Sequence, residues 1–110
     1  MTDEEFDEHV RAALDSLPDD IAEGLENVAV VVEEESPENP TILGSFIGYP
    51  HASGTPSGGL PARVVVYRRP LLAAFPDPDE LQRQIRITVL HEVAHYFGID
   101  EDRIDELGYG

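Results

Sequence analysis

Residues 77–98 read Asp77-Pro78-Asp79-Glu80-Leu81-Gln82-Arg83-Gln84-Ile85-Arg86-Ile87-Thr88-Val89-Leu90-His91-Glu92-Val93-Ala94-His95-Tyr96-Phe97-Gly98. Asp77 suits an N-cap, Pro78 suits the first helical position, and Glu80 stands at the spacing of a capping box. No helix breaker follows until Gly98, a natural C-terminal stop. The pattern therefore predicts one long helix over 78–97. At about 100° per residue, Ile87, Leu90, Val93, Ala94 and Phe97 cover one broad arc, which Val89 and Tyr96 extend. What remains is a narrow strip of Gln84, Thr88, His91, Glu92 and His95. The second half of the helix is thus apolar nearly all round, as a buried helix is, except along that strip. Ionisable groups are rarely buried without a partner or a metal. A cleft or an ion facing the strip would account for them.

Inside the strip, His91-Glu92-Val93-Ala94-His95 spells H-E-x-x-H. Two imidazoles four residues apart leave the same helical face, one turn separated, and both can reach one metal ion. The glutamate between them lies beside a metal-bound water and can take its proton. The same pentad also arises by chance on solvated helices, where its side chains face water; the Gly98 stop and the apolar flanks argue against that here. Glu92-Val93-Ala94-His95 taken as the E-x-x-H of a di-iron bundle needs a matching motif on another helix, and the chain has none. Catalytic zinc wants three protein ligands and an open fourth position. The two histidines leave one to find. Gly98 lets the chain turn sharply and return Asp100, Glu101, Asp102, Asp105 and Glu106 towards them. The alternative use of these acids is structural: Asp100 as N-cap, with Glu101 and Asp102 in the first turn of a last helix. Thr88 and Gln84, on the strip before His91, are candidates to orient the histidine rings by hydrogen bonds.

Composition narrows the rest. A chain of 110 residues is expected to be one domain, residues 1–110, with a modest core. Its net charge is -16, and all seven of its basic residues are arginine. Residues 1–40 carry fourteen acids against the single Arg11. That field repels nucleic acid and anionic membrane, so neither is an expected partner. It favours basic peptides, or serves only solubility, or suits a salt-rich cytoplasm. There are no cysteines, which excludes disulfides and thiolate metal sites; a metal must be held by imidazole and carboxylate. The acidic Met1-Thr2-Asp3-Glu4-Glu5 is unlike a signal peptide, and no apolar run reaches membrane-spanning length. The chain reads as soluble and cytoplasmic.

Phe6, Val10, Ala13, Leu14 and Leu17, followed by Pro18, predict an amphipathic helix over 3–17. Strands are expected at 27–33, with Val28, Val30, Val31 and Val32, at 41–47, and at 62–67, with Val64, Val65 and Val66. Residues 33–40 read as a turn or exposed loop. Residues 49–61, rich in Gly, Pro and Ser, read as a long flexible loop of the kind that is often functional. A short helical turn over 71–75 and a last helix over about 101–107 complete the series. Three strands followed by helices argue α+β: a small mixed sheet of about three to four strands packed on the long helix, with an N-terminal helix and a short C-terminal one. The sheet's edge strand would border the polar strip, and a peptide could add to that edge as an extra strand. An exposed sheet edge also offers a route to a homodimer.

From His91 to Glu101 the sequence resembles the minimal zincin-like metallopeptidases, whose pattern is H-E-x-x-H-x-x-G-x-x-D. The resemblance extends upstream through Tyr67-Arg68-Arg69-Pro70-Leu71 and Asp77-Pro78-Asp79-Glu80-Leu81, and downstream through Asp102-Arg103-Ile104-Asp105-Glu106-Leu107-Gly108-Tyr109. With the strand order it covers nearly the whole chain. It implies a zincin-like fold, Zn2+ on His91, His95 and the residue at the aspartate position, and a peptide or protein substrate. That position holds Glu101 here. A glutamate ligates zinc equally well but needs a different backbone approach, and Asp100 is the neighbouring candidate. The larger relatives place a methionine turn under the metal, whereas the only methionine here is Met1. Tyr109 is a candidate to pack beside the site in its place or to donate its hydroxyl to an oxyanion; as a C-terminal aromatic it could equally close the core. His51 could fold over the cleft or stay solvated. Arg68 and Arg69 could bind a substrate carboxylate or pair with the surplus acids.

The expected chemistry is peptide hydrolysis: zinc lowers the pKa of its water to roughly 7 and Glu92 acts as general base. Two other classes fit part of the pattern. One is a zincin-fold protein that binds metal or peptide without useful catalysis. The other is a two-histidine, one-carboxylate iron site, for which the usual jelly-roll strands are missing.

Overall fold

The computed structural model of the chain describes residues 1–25, 28–48 and 62–106. The expected loop over 49–61, with His51, lies outside the described residues, as do residues 107–110 with Tyr109. The elements in chain order are α1 (Asp3–Asp15), α2 (Asp19–Gly24), β1 (Val28–Glu33), β2 (Gly44–Ile47), β3 (Ala62–Tyr67), α3 (Arg68–Ala74), α4 (Pro78–Tyr96) and α5 (Glu101–Glu106). This is an α+β architecture whose described residues form a three-stranded mixed sheet in the order β1-β3-β2. β3 enters between the two earlier strands. It runs parallel to β1, pairing Val28 with Ala62 and Glu33 with Tyr67, and antiparallel to β2, pairing Gly44 with Val66 and Ile47 with Arg63. Val64, Val65 and Val66 are completely buried. An unbroken valine run rather than an alternating one is what a central strand covered on both faces requires.

α4 is the spine of the molecule. Its N-cap works as the sequence predicts: Asp77 accepts from the Glu80 N–H at 3.0 Å, with Pro78 at the start. The reciprocal half of the capping box is not formed. The Glu80 carboxylate instead accepts from Gln84 Nε2 at 2.9 Å and pairs with Arg83. Those bonds, the one from Gln84 first, hold the Glu80 carboxyl below its ordinary pKa. The complete capping box belongs to α1. Glu5 N–H donates to Thr2 Oγ1 at 3.1 Å, and Thr2 N–H donates to the Glu5 carboxylate at 3.0 Å.

At the other end of α4, Gly98 adopts φ +78°. Its N–H donates to the His95 carbonyl at 3.0 Å, and the Ile99 N–H donates to the Ala94 carbonyl at 3.1 Å. These two bonds make a Schellman turn, which needs a left-handed residue and therefore favours glycine. Phe6, Val10 and Ala13 of α1 join Leu81, Ile85, Val89 and Val93 of α4, with Val66 and Leu71, in one buried cluster. α4 thus has α1 on one side and the sheet on the other.

Several boundaries differ from expectation for local reasons. β2 begins at Gly44, not Thr41, because the Asn39 side chain takes both the Thr41 N–H, at 3.0 Å, and the Thr41 hydroxyl, at 2.7 Å. That closed turn draws Thr41 out of the strand. α1 stops at Asp15, two residues early, where the Ser16 hydroxyl donates back to the Ala13 carbonyl at 2.6 Å. α2 is an additional short helix. α3 starts directly at Arg68, before Pro70, because the two arginines are fastened in place. Arg68, only 12% exposed, lies within 3.4 Å of Asp3 and 3.3 Å of Asp7, pairs with Glu34, and sits 5.4 Å over the Phe6 ring. Arg69 lies 3.5 Å from both Glu34 and Glu35. Arg68 therefore ties α3 to α1 and to the residues after β1, and Arg69 ties it to the latter.

Candidate metal centre

α4 presents His91 and His95 one turn apart, both half-buried, on the part of the helix where no residue from Thr88 to Tyr96 is exposed. Their Nε2 atoms stand 3.1 Å from each other, and their ring centroids 4.8 Å. Two imidazole nitrogens on one tetrahedral zinc, each bonded at about 2.0–2.1 Å, would be about 3.3 Å apart. The pair thus fits two adjacent ligand positions of a single ion. Glu92, between them in sequence, is 8% exposed, an unusual depth for a carboxylate.

The cover over Glu92 comes from β2, which stands at the edge of the sheet among the described residues. Gly44 faces α4 so closely that a Cβ there would lie 2.7 Å from the Thr88 methyl and 3.3 Å from Glu92 Cγ. Two residues on, Phe46 packs on Tyr96 with ring centroids 5.7 Å apart. Any side chain at position 44 would force the strand or Thr88 to shift. Glycine inside a strand signals such a close approach, and that signal was present in the sequence though Gly44 was not among the expected site residues. Beside the contact lies a cavity of about 210 Å³ lined by Leu43, Gly44, Gln84, Ile87, Thr88, His91 and Glu92. Four of the five residues of the polar strip thus line one cleft.

The other expected residues are placed as follows. The Thr88 hydroxyl donates to the Gln84 carbonyl at 2.8 Å, within its own helix, and the Gln84 amide donates to Glu80. Asp100 is exposed, and its carboxylate accepts from the Arg103 N–H at 2.9 Å, as the N-cap of α5 does. Glu101 opens α5 just beyond the Gly98 turn, but its side chain lies outside the described positions, as does Tyr109. Among the described residues no third His, Cys, Asp or Glu joins the histidine pair in a metal-binding group.

The sequence model of the zincin-like metallopeptidases matches residues 25–110. The chain belongs to the zincin-like metallopeptidase family. Among solved structures it is similar to a conserved hypothetical protein from Thermus thermophilus, at 25% sequence identity and a TM-score of 0.61, over 97% of each chain. No curated protein matches the sequence. The zincin-like fold is thus a small mixed sheet laid on the helix that carries His91, Glu92 and His95. No helix among the described residues is long and apolar enough to cross a membrane.

Proposed function

We propose that the chain is a zinc-dependent peptidase, with His91, His95 and a carboxylate after Gly98 (Glu101 first, Asp100 second) holding the metal and Glu92 as general base. The observation that carries this reading is the 3.1 Å separation of the two Nε2 atoms beside the buried Glu92. Zinc, when bound, supplies Lewis acidity, polarising a carbonyl and lowering the pKa of water to about 7. Every other part of the chemistry falls to the chain. The Glu92 carboxylate accepts the proton of the attacking water and returns it to the leaving amine. Among the described residues β2 stands at the sheet edge next to the cleft, so an extended peptide bonded to its outer edge would run past Glu92. The contact at Gly44 keeps that edge close to α4 and limits the water around the reacting groups.

Hydrolysis of a peptide library, followed by mass spectrometry with zinc present, tests this. Glu92→Gln should lower the rate by about 10²–10⁴-fold, the range of general-base catalysis, with the zinc content unchanged. Equal cleavage by the wild-type chain and Glu92→Gln would overturn the peptidase assignment. Cleavage by neither, with peptide binding retained, would support a zincin-fold binding protein instead.

A further inference from the structure

We infer that the outer edge of β1, with the groove between β1 and α1, docks an extended peptide of alternating basic and apolar residues as an added strand. This surface lies across β3 from β2, about 10 Å away at two strand spacings, and it does not depend on the peptidase reading. Among the described residues, the order β1-β3-β2 leaves β1 bonded on one side only. β1 carries no proline and no charge before its last residue, Glu33, so nothing within it blunts the edge. Beside it a cavity of about 410 Å³ opens between Val10 and Leu14 of α1 and Val30 to Val32 of β1. Leu14, Val30 and Val32 pack against the buried cluster yet stay half-buried. Apolar side chains of a bound strand would cover what they leave open.

The polar part of the lining asks for a peptide backbone. Arg68 borders the groove, and its Nε is buried with no hydrogen-bond partner among the described residues. The Asp3 carboxylate stands 3.4 Å from it but outside hydrogen-bonding geometry. A buried donor left unpaired is costly. Asp3, Asp7 and Glu34 already answer the charge of the guanidinium, so the acceptor it lacks is a neutral one, such as a peptide carbonyl. Charge then selects the side chains. Those three acids remain open to solvent, and Glu33 ends the strand; Arg11 is the one exposed cation in the lining. Residues 1–40, which supply both α1 and β1, carry fourteen acids. A strand bearing lysine or arginine meets complementary charge there, and an acidic strand is repelled. A second copy of this chain would bring the same acids edge to edge, each copy at a net charge of -16. The charge therefore favours a basic peptide over a dimer.

Fluorescence anisotropy of a short labelled peptide alternating lysine and valine tests this, on the full chain carrying Glu92→Gln so that hydrolysis does not intervene. The peptide should bind about tenfold or more tighter than one with glutamate in place of lysine, and added salt should weaken it. In an added strand only alternate backbone N–H groups face the edge. Methylating the nitrogens of one alternate set, valines or lysines, should therefore abolish binding, and methylating the other set should not. Arg11→Glu should tighten binding about two- to fivefold, the scale of an exposed charge pair. Leu14→Lys should weaken it by about tenfold or more, with circular dichroism unchanged; if that variant does not fold, Arg11→Glu still decides. No binding, equal binding of the lysine and glutamate peptides, indifference to methylation of either set, or an affinity that Arg11→Glu does not move overturns the proposal. A dimer in sedimentation that Leu14→Lys dissolves, with no peptide bound, gives the edge to a second copy and overturns it too.

Discussion

The two halves of α4 obey different rules. From Pro78 to Ile87 the helix is amphipathic in the ordinary way: Leu81 and Ile85 are buried, while Gln82, Arg83 and Arg86 are exposed. Its charged groups satisfy one another along the surface, as Glu80 does with Arg83 and Gln84. From Thr88 to Tyr96 no residue is exposed, yet this half carries two histidines and a glutamate. A fold gains little by burying a carboxylate between two half-buried imidazoles for stability alone, since desolvating a charge costs several kcal/mol before any pairing. The first half holds the helix in place; in the proposed reading the second half holds the site.

Substitutions one turn apart probe that contrast. Leu90→Ala, in the buried half, should cost about 2–5 kcal/mol of unfolding free energy. Arg86→Ala, four residues earlier on the exposed face, should stay within about 0.5 kcal/mol; urea denaturation of both variants measures the difference. Equal effects would show that the halves are not distinct. Gly98→Ala acts at the end of the buried half. It forces alanine to the left-handed φ of +78°, at about 1–2 kcal/mol, and shifts the chain that follows His95. It should therefore weaken zinc binding as well as lower the melting temperature, and a loss of stability with zinc affinity unchanged would separate the turn from the site. The smallest effect belongs to the exposed half. The Glu80 carboxyl is held below its ordinary pKa, first by the bond from Gln84. A depressed carboxylate stabilises the fold above its unfolded pKa, and that contribution is lost as pH falls through the folded value. Glu80→Gln should thus be slightly less stable than the wild-type chain at pH 7, and the gap should close in acid below about pH 4. A gap that persists there would give Glu80 another role.

Much of this was legible in the residues. Asp77, Pro78 and Gly98 mark the ends of α4 by backbone chemistry that operates over a few residues, and the valine runs at 28–32 and 64–66 mark β1 and β3 by β-branched packing. The polar strip was legible because helical periodicity alone sets it against its flanks. What local pattern does not encode is the order of strands: nothing in the sequence near β3 says that it enters between β1 and β2. Nor could periodicity show that the Asp77 capping box stays half-formed, since Glu80 chooses between its own N-cap and Gln84 by tertiary and side-chain competition. α2 is six residues long with Gly24 at its end, too short to establish a period. Leu43, Gly44 and Ile87 escaped notice because they line one cleft with His91 and Glu92 only when β2 lies on α4. The ligand after Gly98 depends likewise on how a carboxylate returns to the histidines, which the spacing of Asp100 and Glu101 does not determine.

The central claim is that the buried half of α4 exists to hold a metal. Zinc titration calorimetry of the wild-type chain, Glu92→Gln and His95→Ala at neutral pH tests it most directly. One zinc per chain should bind to the wild-type protein and to Glu92→Gln with similar affinity, while His95→Ala should lose more than about 100-fold, beyond what changes outside the ligand shell produce. Zinc binding by His95→Ala as tight as that of the wild-type chain would contradict the account.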